Sequence, residues 1–421
     1  MKINKLIIEN FKGIKDRKEF EIRPLTIFCG PNSSGKSSCI HALAALAQTI
    51  KLSNSQVPVA LDDEYAQVHL GRFLDVIHSR SLDDSIKLGV GVDKLKYYLT
   101  PNKPDRKKVP SLEIEMEYKA KGTAQEIYVE SAKIEINSIS YVLSREDEEF
   151  AIKRGSKKLP FNMYSTGKFG FRPKGVFEGG VQPKEETMQA FFLGENINRN
   201  LTEVLSNVLY LGPFRQGPLR RYPTRGSQPA EVGASGEAAV PMLANEYSRS
   251  DSNHPNISQI SSWVEEMGLG KRIVLSPVAH TDLFDVNVSL EDGANLPLPD
   301  LGYGISQVLP VLVQCSFAPP NSTLLFEQPE LHLHEGAARK LGAVLANVAK
   351  KKNINIIAET HSPHMIMELI NKVKGGDLSV DDVVIYDVCR REGKSEFKKV
   401  LIEMDNGDIW IDHPWLNGMI K

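Results

Sequence analysis

The sequence predicts an α/β fold: a mixed sheet carrying a phosphate-binding loop, with an antiparallel β subdomain and a helical insertion added to it. Three observations predict it. Residues 30–37, Gly-Pro-Asn-Ser-Ser-Gly-Lys-Ser, fit the pattern G-x-x-x-x-G-K-[ST] without a mismatch, between an apolar strand and a helix-periodic run. Leu112, Ile114, Met116 and Tyr118 alternate strictly with Glu113, Glu115 and Glu117, the period of a half-exposed strand. Two later apolar runs stop at chemistry-bearing residues, Leu324 to Glu330 and Ile354 to Ser362.

The loop explains its own spacing. Gly30 and Gly35 let the backbone turn tightly so that amide N–H groups point inward at phosphate oxygens with no Cβ in the way. Lys36 brings a point charge to the outer phosphates, and the Ser37 hydroxyl is placed to ligate Mg²⁺. Asn32, Ser33, Ser34 and Ser38 complete the set expected at the nucleotide. Leu25 to Phe28 reads as the buried strand that delivers the loop. Ile40, Leu43, Ala47 and Ile50 recur at helical spacing behind it, so a helix N-terminus adds its positive dipole end.

Composition bounds the rest. The chain has 421 residues, 41% hydrophobic and 25% charged, enough for a full core. A formal charge of -2 argues against a surface devoted wholly to nucleic acid. The four cysteines, Cys29, Cys39, Cys315 and Cys389, share no metal-like spacing and read as reduced core thiols of a cytoplasmic protein. No apolar run approaches the ~20 residues that cross a bilayer, and Met1-Lys2-Ile3-Asn4 opens into a strand without a signal peptide, so no membrane partner is expected.

In chain order, residues 1–60 hold three short strands (Lys5 to Phe11, Glu19 to Ile22, Leu25 to Phe28), the loop and its helix. Residues 61–208 hold the antiparallel β region and a helical insertion. The stretch Val68 to His78 is mixed in pattern, and Lys103, Arg106, Lys107 and Lys108 sit in a proline-bounded, solvated connection. The acidic row Glu113, Glu115, Glu117 is expected to face solvent. Residues 146–186, rich in charge, Gly and Pro, are expected to be a mobile excursion. Glu185 to Val208 returns to helical spacing. Residues 209–421 form a C-terminal lobe: a short strand Leu209 to Pro213, helices over 233–248 and 256–267, and two strands over 272–288. Arg215, Arg220, Arg221 and Arg225, interleaved with Phe214 and Tyr222, make either an anion-contacting loop or a solvated linker.

The acidic half of the nucleotide site lies further along the chain. Asn321 to Glu330 is a strand ending in carboxylates, which Mg²⁺ coordination needs because the strand end fixes the acid. A helix with Leu341, Val344, Leu345 and Val348 on one face leads to a strand ending in Glu359-Thr360-His361-Ser362, and a histidine at a strand's carboxyl end sits where ligands lie in such sheets. His332, His334, His361 and His364 do not suggest zinc, since no cysteine joins them and the acids favour Mg²⁺.

This order of motifs, together with Ile7 to Gly13, Asp300-Leu301-Gly302-Tyr303-Gly304-Ile305-Ser306-Gln307 and Glu327-Gln328-Pro329-Glu330-Leu331-His332-Leu333-His334, resembles the P-loop ABC-type ATPase heads of the SMC, RecF and overcoming-lysogenization-defect (OLD) proteins over nearly the whole chain. It looks closest to stand-alone bacterial heads, several of which are ATPase subunits of anti-phage systems such as Septu and PARIS. The resemblance implies a homodimer or larger homo-oligomer with ATP sandwiched between one copy's loop and the other's signature segment. It implies phosphate and Mg²⁺ binding at Gly30, Gly35, Lys36 and Ser37, and Mg²⁺ at Glu327. Gly304, Ser306 and Gln307 would cap the γ-phosphate across the dimer, and His361 would be the switch histidine.

Two departures from the family pattern stand out. Relatives that hydrolyse ATP place a glutamate general base after the Mg²⁺ acid, where this chain has Gln328; an amide takes no proton from water, so turnover is expected to be slow unless Glu330 or His361 substitutes. Tyr303 stands where the family has its signature serine, with Ser306 three residues on. The 57 residues after His364 are too few for the nuclease domain of OLD proteins, and no heptads mark an SMC coiled coil. The expectation is therefore an ATP-held assembly that controls a separate effector, a nuclease, in anti-phage defence. The alternative is a RecF-like DNA-repair clamp that binds DNA directly through Arg215, Arg220 and Arg221. A P-loop kinase or GTPase would use the same cradle, but Asp300 to Gln307 with His361 argue against it.

Overall fold

The computed structural model describes residues 1–52, 57–96, 111–174, 184–223, 226–249, 253–405 and 408–413. Two compact units emerge, each built from non-contiguous stretches. One holds 1–22, 32–208 and 389–396, the other 23–31, 209–388 and 397–421. The chain passes from the second to the first inside the phosphate loop, between Pro31 and Asn32.

The first unit is organised by a nine-stranded antiparallel sheet running, edge to edge, Phe171–Pro173, Lys157–Ser165, Glu149–Arg154, Ile139–Glu146, Glu126–Ile136, Ser111–Lys121, Ile86–Asp93, Lys2–Glu9, Lys18–Glu21. Alternation dictates its faces: Leu112, Ile114, Met116 and Tyr118 are buried. The acidic row between them departs from the expected solvated face. Glu113 pairs with Lys5 at 2.6 Å and Glu115 with Arg17 at 2.7 Å, while Glu117 accepts from the hydroxyls of Ser85 and Ser131 at 2.6 and 2.7 Å. Ser131 comes from the adjacent strand, Ser85 from the residue before the other adjacent strand, and Lys5 and Arg17 reach over from beyond it, so the row is a ladder of pairs across the sheet. Part of the expected excursion at 146–186 gives way, because Glu149–Arg154 and Lys157–Ser165 form a hairpin turning at Gly155, while residues 175–183 lie outside the described residues. Phe150, Ile152, Met163 and Phe171 are buried there, and charged residues occupy the other side, so the polar composition concealed a period of two. Residues 97–110, with Lys103, Arg106, Lys107 and Lys108, lie outside the described residues.

Helix Lys36–Lys51 is apolar nearly all round and correspondingly buried. Its Gln48 side chain settles the mixed stretch that comes after it: Nε2 donates to Ala60 O and Val68 O, and Oε1 accepts from the amides of Gln67 and Val68. Helix Glu185–Ser206 packs in the same unit, and between its N-terminal half and the outer strands lies an apolar cavity of about 490 Å³.

The second unit is built on a six-stranded sheet in the order Val208–Leu211, Thr323–Glu327, Asn355–Thr360, Leu25–Cys29, Val383–Arg391, Lys394–Val400. The four strands from Thr323–Glu327 to Val383–Arg391 pair in parallel. Their runs are buried end to end, as parallel strands covered on both faces must be. Helices Tyr303–Phe317, Glu335–Lys352 and Pro363–Lys374 cover the sheet. His334 caps the second, accepting from Ala337 N at 3.2 Å, and Ser362 caps the third. Helices Ala239–Arg249 and Pro255–Glu266 and a small antiparallel sheet around Arg272–Pro277 and Leu283–Ser289 complete the unit. The first of these starts later than its apolar pattern suggests, because Gly233 and Gly236 take positive φ in the preceding turn. No helix among the described residues is long and apolar enough to cross a membrane.

Candidate functional site

Parallel pairing brings four strand ends to one edge of the six-stranded sheet. In register, Glu327 lies beside Glu359, Thr360 beside Cys29, and Asp387 beside Cys29 on its other side. The strand bearing His361 at its end thus lies between the cradle strand and the acid strand. At a strand spacing of about 4.8 Å, the backbone at the loop's entry and that at Glu327 are two strands, about 10 Å, apart.

The loop has the backbone its glycines predict. Gly30 has φ 139°, Ser33 φ 60° and Gly35 φ 103°. A Cβ on Gly30 would lie 2.1 Å from Val388 O, so this glycine is needed for close packing as well as for conformation. In the first unit a Cβ on Gly35 would lie 2.0 Å from Ser395 Oγ and one on Gly13 2.3 Å from it; Ser395 N donates to Gly13 O at 2.7 Å. Ser395 thus wedges between two glycines, a contact no local pattern signals. Lys36 and Ser34 are buried, and Ser34 Oγ has no hydrogen-bond partner. An orphaned hydroxyl inside a glycine-shaped loop suits a phosphate oxygen.

Around the acid strand, Tyr210 Oη donates to Glu327 Oε1 at 2.7 Å, and burial together with the charges of Glu327 and Glu359 pushes the Tyr210 phenol well above its ordinary range. Glu327 and Glu359 are 4% and 5% exposed. Two neighbouring buried carboxylates repel unless a proton or cation sits between them, so this donor set fits Mg²⁺. Gln328 adopts φ 46° and donates its N–H to Glu359 O at 2.9 Å. Glu330 accepts from Thr360 Oγ1 at 2.6 Å and from His361 N at 3.0 Å, while its Oε2 is buried and without a partner. His361 lies with Gly30, Pro31, Thr360, Asp387 and His413 around a cavity of about 210 Å³. Asp387 and His413, which sequence reasoning did not single out, form an ion pair there at 3.3 Å when the imidazole is charged.

The signature segment is arranged differently from its expectation. Gly302 precedes helix Tyr303–Phe317, but Ser306 and Gln307 are 7% and 5% exposed, and Ser306 Oγ turns back to Tyr303 O at 2.9 Å. The side chain presented outward is Tyr303, 69% exposed and 5.9 Å from the His332 ring. Gly304 packs under His332 O, which lies 3.0 Å from where its Cβ would be. The helix is buried on every side from Ile305 to Ser316, so Ser306 and Gln307 lie inside, while Tyr303 stands at its exposed N-terminal end.

The arginine loop is likewise corrected. Arg215 is buried and donates to the carbonyls of Gln307, Glu327 and Gln328 at 3.0, 3.0 and 2.9 Å. Arg220 forms a fork with Asp300 at 2.6 and 3.0 Å, and Arg221 lies 3.5 Å from Asp285. Arg225 lies outside the described residues.

Comparison with known proteins agrees with this geometry. The family model described as "AAA ATPase domain" matches residues 1–168, and that described as "AAA domain, putative AbiEii toxin, Type IV TA system" matches residues 182–367. An OLD nuclease of Thermus scotoductus is 32% identical over 116 residues, 26% of this chain and 22% of the relative, so the chain spans about a fifth of the length of the curated relative it matches. An SMC head bound to the C-terminal winged-helix domain of ScpA aligns over 95% of this chain and 97% of that one at 12% identity and a TM-score of 0.49. The SMC head domain of Thermotoga maritima aligns over 95% and 100% at 10% identity and a TM-score of 0.39. Likenesses as distant as these two overlays carry no functional argument. The first ATPase model takes in the loop and most of the antiparallel sheet, the second the acid strand and its turn, and the chain belongs to the ABC-type ATPases of the SMC, RecF and OLD superfamily.

Proposed function

We propose that this chain binds ATP with Mg²⁺, hydrolyses it slowly, and assembles on it as a homodimer or larger homo-oligomer that controls a separate effector, a nuclease, in cytoplasmic anti-phage defence. The observation that carries the slow turnover is Gln328, an amide where a general base would stand, held in a left-handed turn by its bond to Glu359 O. General-base assistance supplies ~10² to 10⁴ in rate. Glu330 is a poor substitute, because one of its oxygens already accepts from Thr360 and His361. In this reading Gly30, Asn32 to Gly35, Lys36 and Ser38 hold phosphates, Ser37 and Glu327 take Mg²⁺, His361 reads the γ-phosphate, and the end of the signature helix around Tyr303 and Gly304 faces the second copy. The toxin description of one family model and the name of the Thermus relative support the defence setting.

The test is to purify the protein with ATP and Mg²⁺ from its native host, follow retained nucleotide, particle mass and turnover, and identify the co-eluting chains. Retained ATP, an ATP-dependent rise in mass that Lys36→Ala abolishes, and a co-eluting nuclease are expected. Turnover at the ~1–10³ s⁻¹ of ordinary enzymes would overturn the clamp. The string Asn102-Lys103-Pro104-Asp105 fits the guanine-selecting pattern Asn-Lys-x-Asp and lies outside the described residues, so GTP is the competitor to include. Against the DNA-clamp reading stands the burial of Arg215; Arg220 and Arg221 are exposed and paired with Asp300 and Asp285.

A further inference from the structure

We infer that Arg215 is a positioning residue whose guanidinium staples the first turn of the signature helix to the acid turn and so sets where the side chain at position 328 points. Nη1 donates to Gln307 O, and Nη2 donates to both Glu327 O and Gln328 O. These carbonyls come from two segments far apart in sequence, the helix Tyr303–Phe317 and the turn after strand Thr323–Glu327.

Physical cost separates this arrangement from ordinary packing. Arg215 is 8% exposed, its Nε has no partner, and no carboxylate lies within ion-pair distance of it among the described residues. Burial pulls its pKa down to about 10, with the Glu330 charge opposing, so it stays charged at neutral pH. An apolar side chain of similar length would fill the space without burying an uncompensated charge. What only a planar, forked donor supplies is simultaneous hydrogen bonding to carbonyls of different segments. The helix offers such a carbonyl beside an internal break: Pro310 has no N–H to give Ser306 O, which loosens the ladder next to Gln307. On the turn, the N–H of Gln328 is tied to Glu359 and its carbonyl to Arg215, so a non-glycine residue at φ 46° is held from both sides. Any tilt of the helix end carrying Tyr303 is thereby passed to residue 328. The tie stands on its own; what position 328 does with it rests on the proposed function.

Two measurements test it. Amide hydrogen exchange is compared without nucleotide for the wild type, Arg215→Lys and Arg215→Met. Segments 303–309 and 326–331 should lose protection together by about tenfold or more, while helix Glu335–Lys352 stays as it was. Unchanged exchange in those segments, or loosening of the whole of 209–388 at once, would overturn the staple. In the second arm, Gln328→Glu is made in the wild-type and Arg215→Lys backgrounds, with ATP-analogue affinity as the control. The gain in hydrolysis should appear only where Arg215 is intact, with affinity equal in both. An equal gain in both backgrounds refutes the staple. If exchange changes as expected but Gln328→Glu accelerates nothing even with Arg215 intact, the staple holds and the assignment of position 328 falls.

Discussion

The hydroxyl of Tyr210 donates a 2.7 Å hydrogen bond to Oε1 of Glu327, joining a strand at the sheet edge to the acid that ends its neighbour. A phenol held neutral by burial is a fixed donor, so it orients the Glu327 carboxylate that the proposed function assigns to the cation. Replacing Tyr210 by Phe should therefore leave loop affinity for nucleotide alone nearly unchanged while raising the Mg²⁺ concentration needed for retention by about tenfold, the usual cost of losing an outer-shell partner. A Mg²⁺ titration of nucleotide retention checks this; an unchanged midpoint would show that Tyr210 only packs.

Position 328 is the second point of leverage. Gln328→Glu places a carboxylate on a backbone already held in its turn, and hydrolysis should rise by ~10² or more. Steady-state phosphate release decides it, and a rate indistinguishable from the wild type would mean that the proton is taken elsewhere, with Glu330 next to be examined.

Of the arginines that look like a nucleic-acid contact in sequence, Arg220 and Arg221 are ion-paired in the fold. Arg220→Ala with Arg221→Ala removes two exposed, solvent-screened ion pairs, and should leave any DNA retention and its salt dependence as they were. Loss of salt-sensitive DNA binding in the double variant would revive the clamp alternative.

Stability should decline on the alkaline side. The Cys315 thiol, fully buried, is pushed up to about 12 from 9.0, and burial raises the phenols of Tyr118 and Tyr210 above 10.0. A folded-state pKa above the unfolded one means that the native state holds its proton longer. The contribution is complete below the unfolded pKa and is lost as pH climbs from there toward the folded value. Thermal midpoints measured between pH 7 and 11 should fall from about pH 9 upward. Cys315→Ala should flatten the first part of that decline, at the cost of a small cavity.

How much of this was legible beforehand depends on range. The loop, the strand before it, the helix behind it, the acid ending Thr323–Glu327 and the histidine after Asn355–Thr360 are signalled within a few residues of themselves, because glycine dihedrals and periods of 2 and 3.6 are local physics. Parallel pairing of apolar runs then results from their being buried on both faces. Partners were not legible. Tyr210 reaches Glu327 across 117 positions, Arg215 reaches Gln307 across 92, and Ser395 comes from near the far end of the chain to fill the space two glycines leave.

The same reason accounts for the corrections. Charge and proline content at 149–173 resembled a loop, and the arginines at 215–221 resembled a binding patch, because composition does not say which side chains meet. The sequence by itself determined the nucleotide-binding chemistry and the fold class. Only the tertiary structure decided that Ser306 turns inward, that the glutamate row is a ladder of pairs, and that a buried arginine ties the signature helix to the acid turn, since each of these depends on hydrogen bonds and charges closed between distant segments.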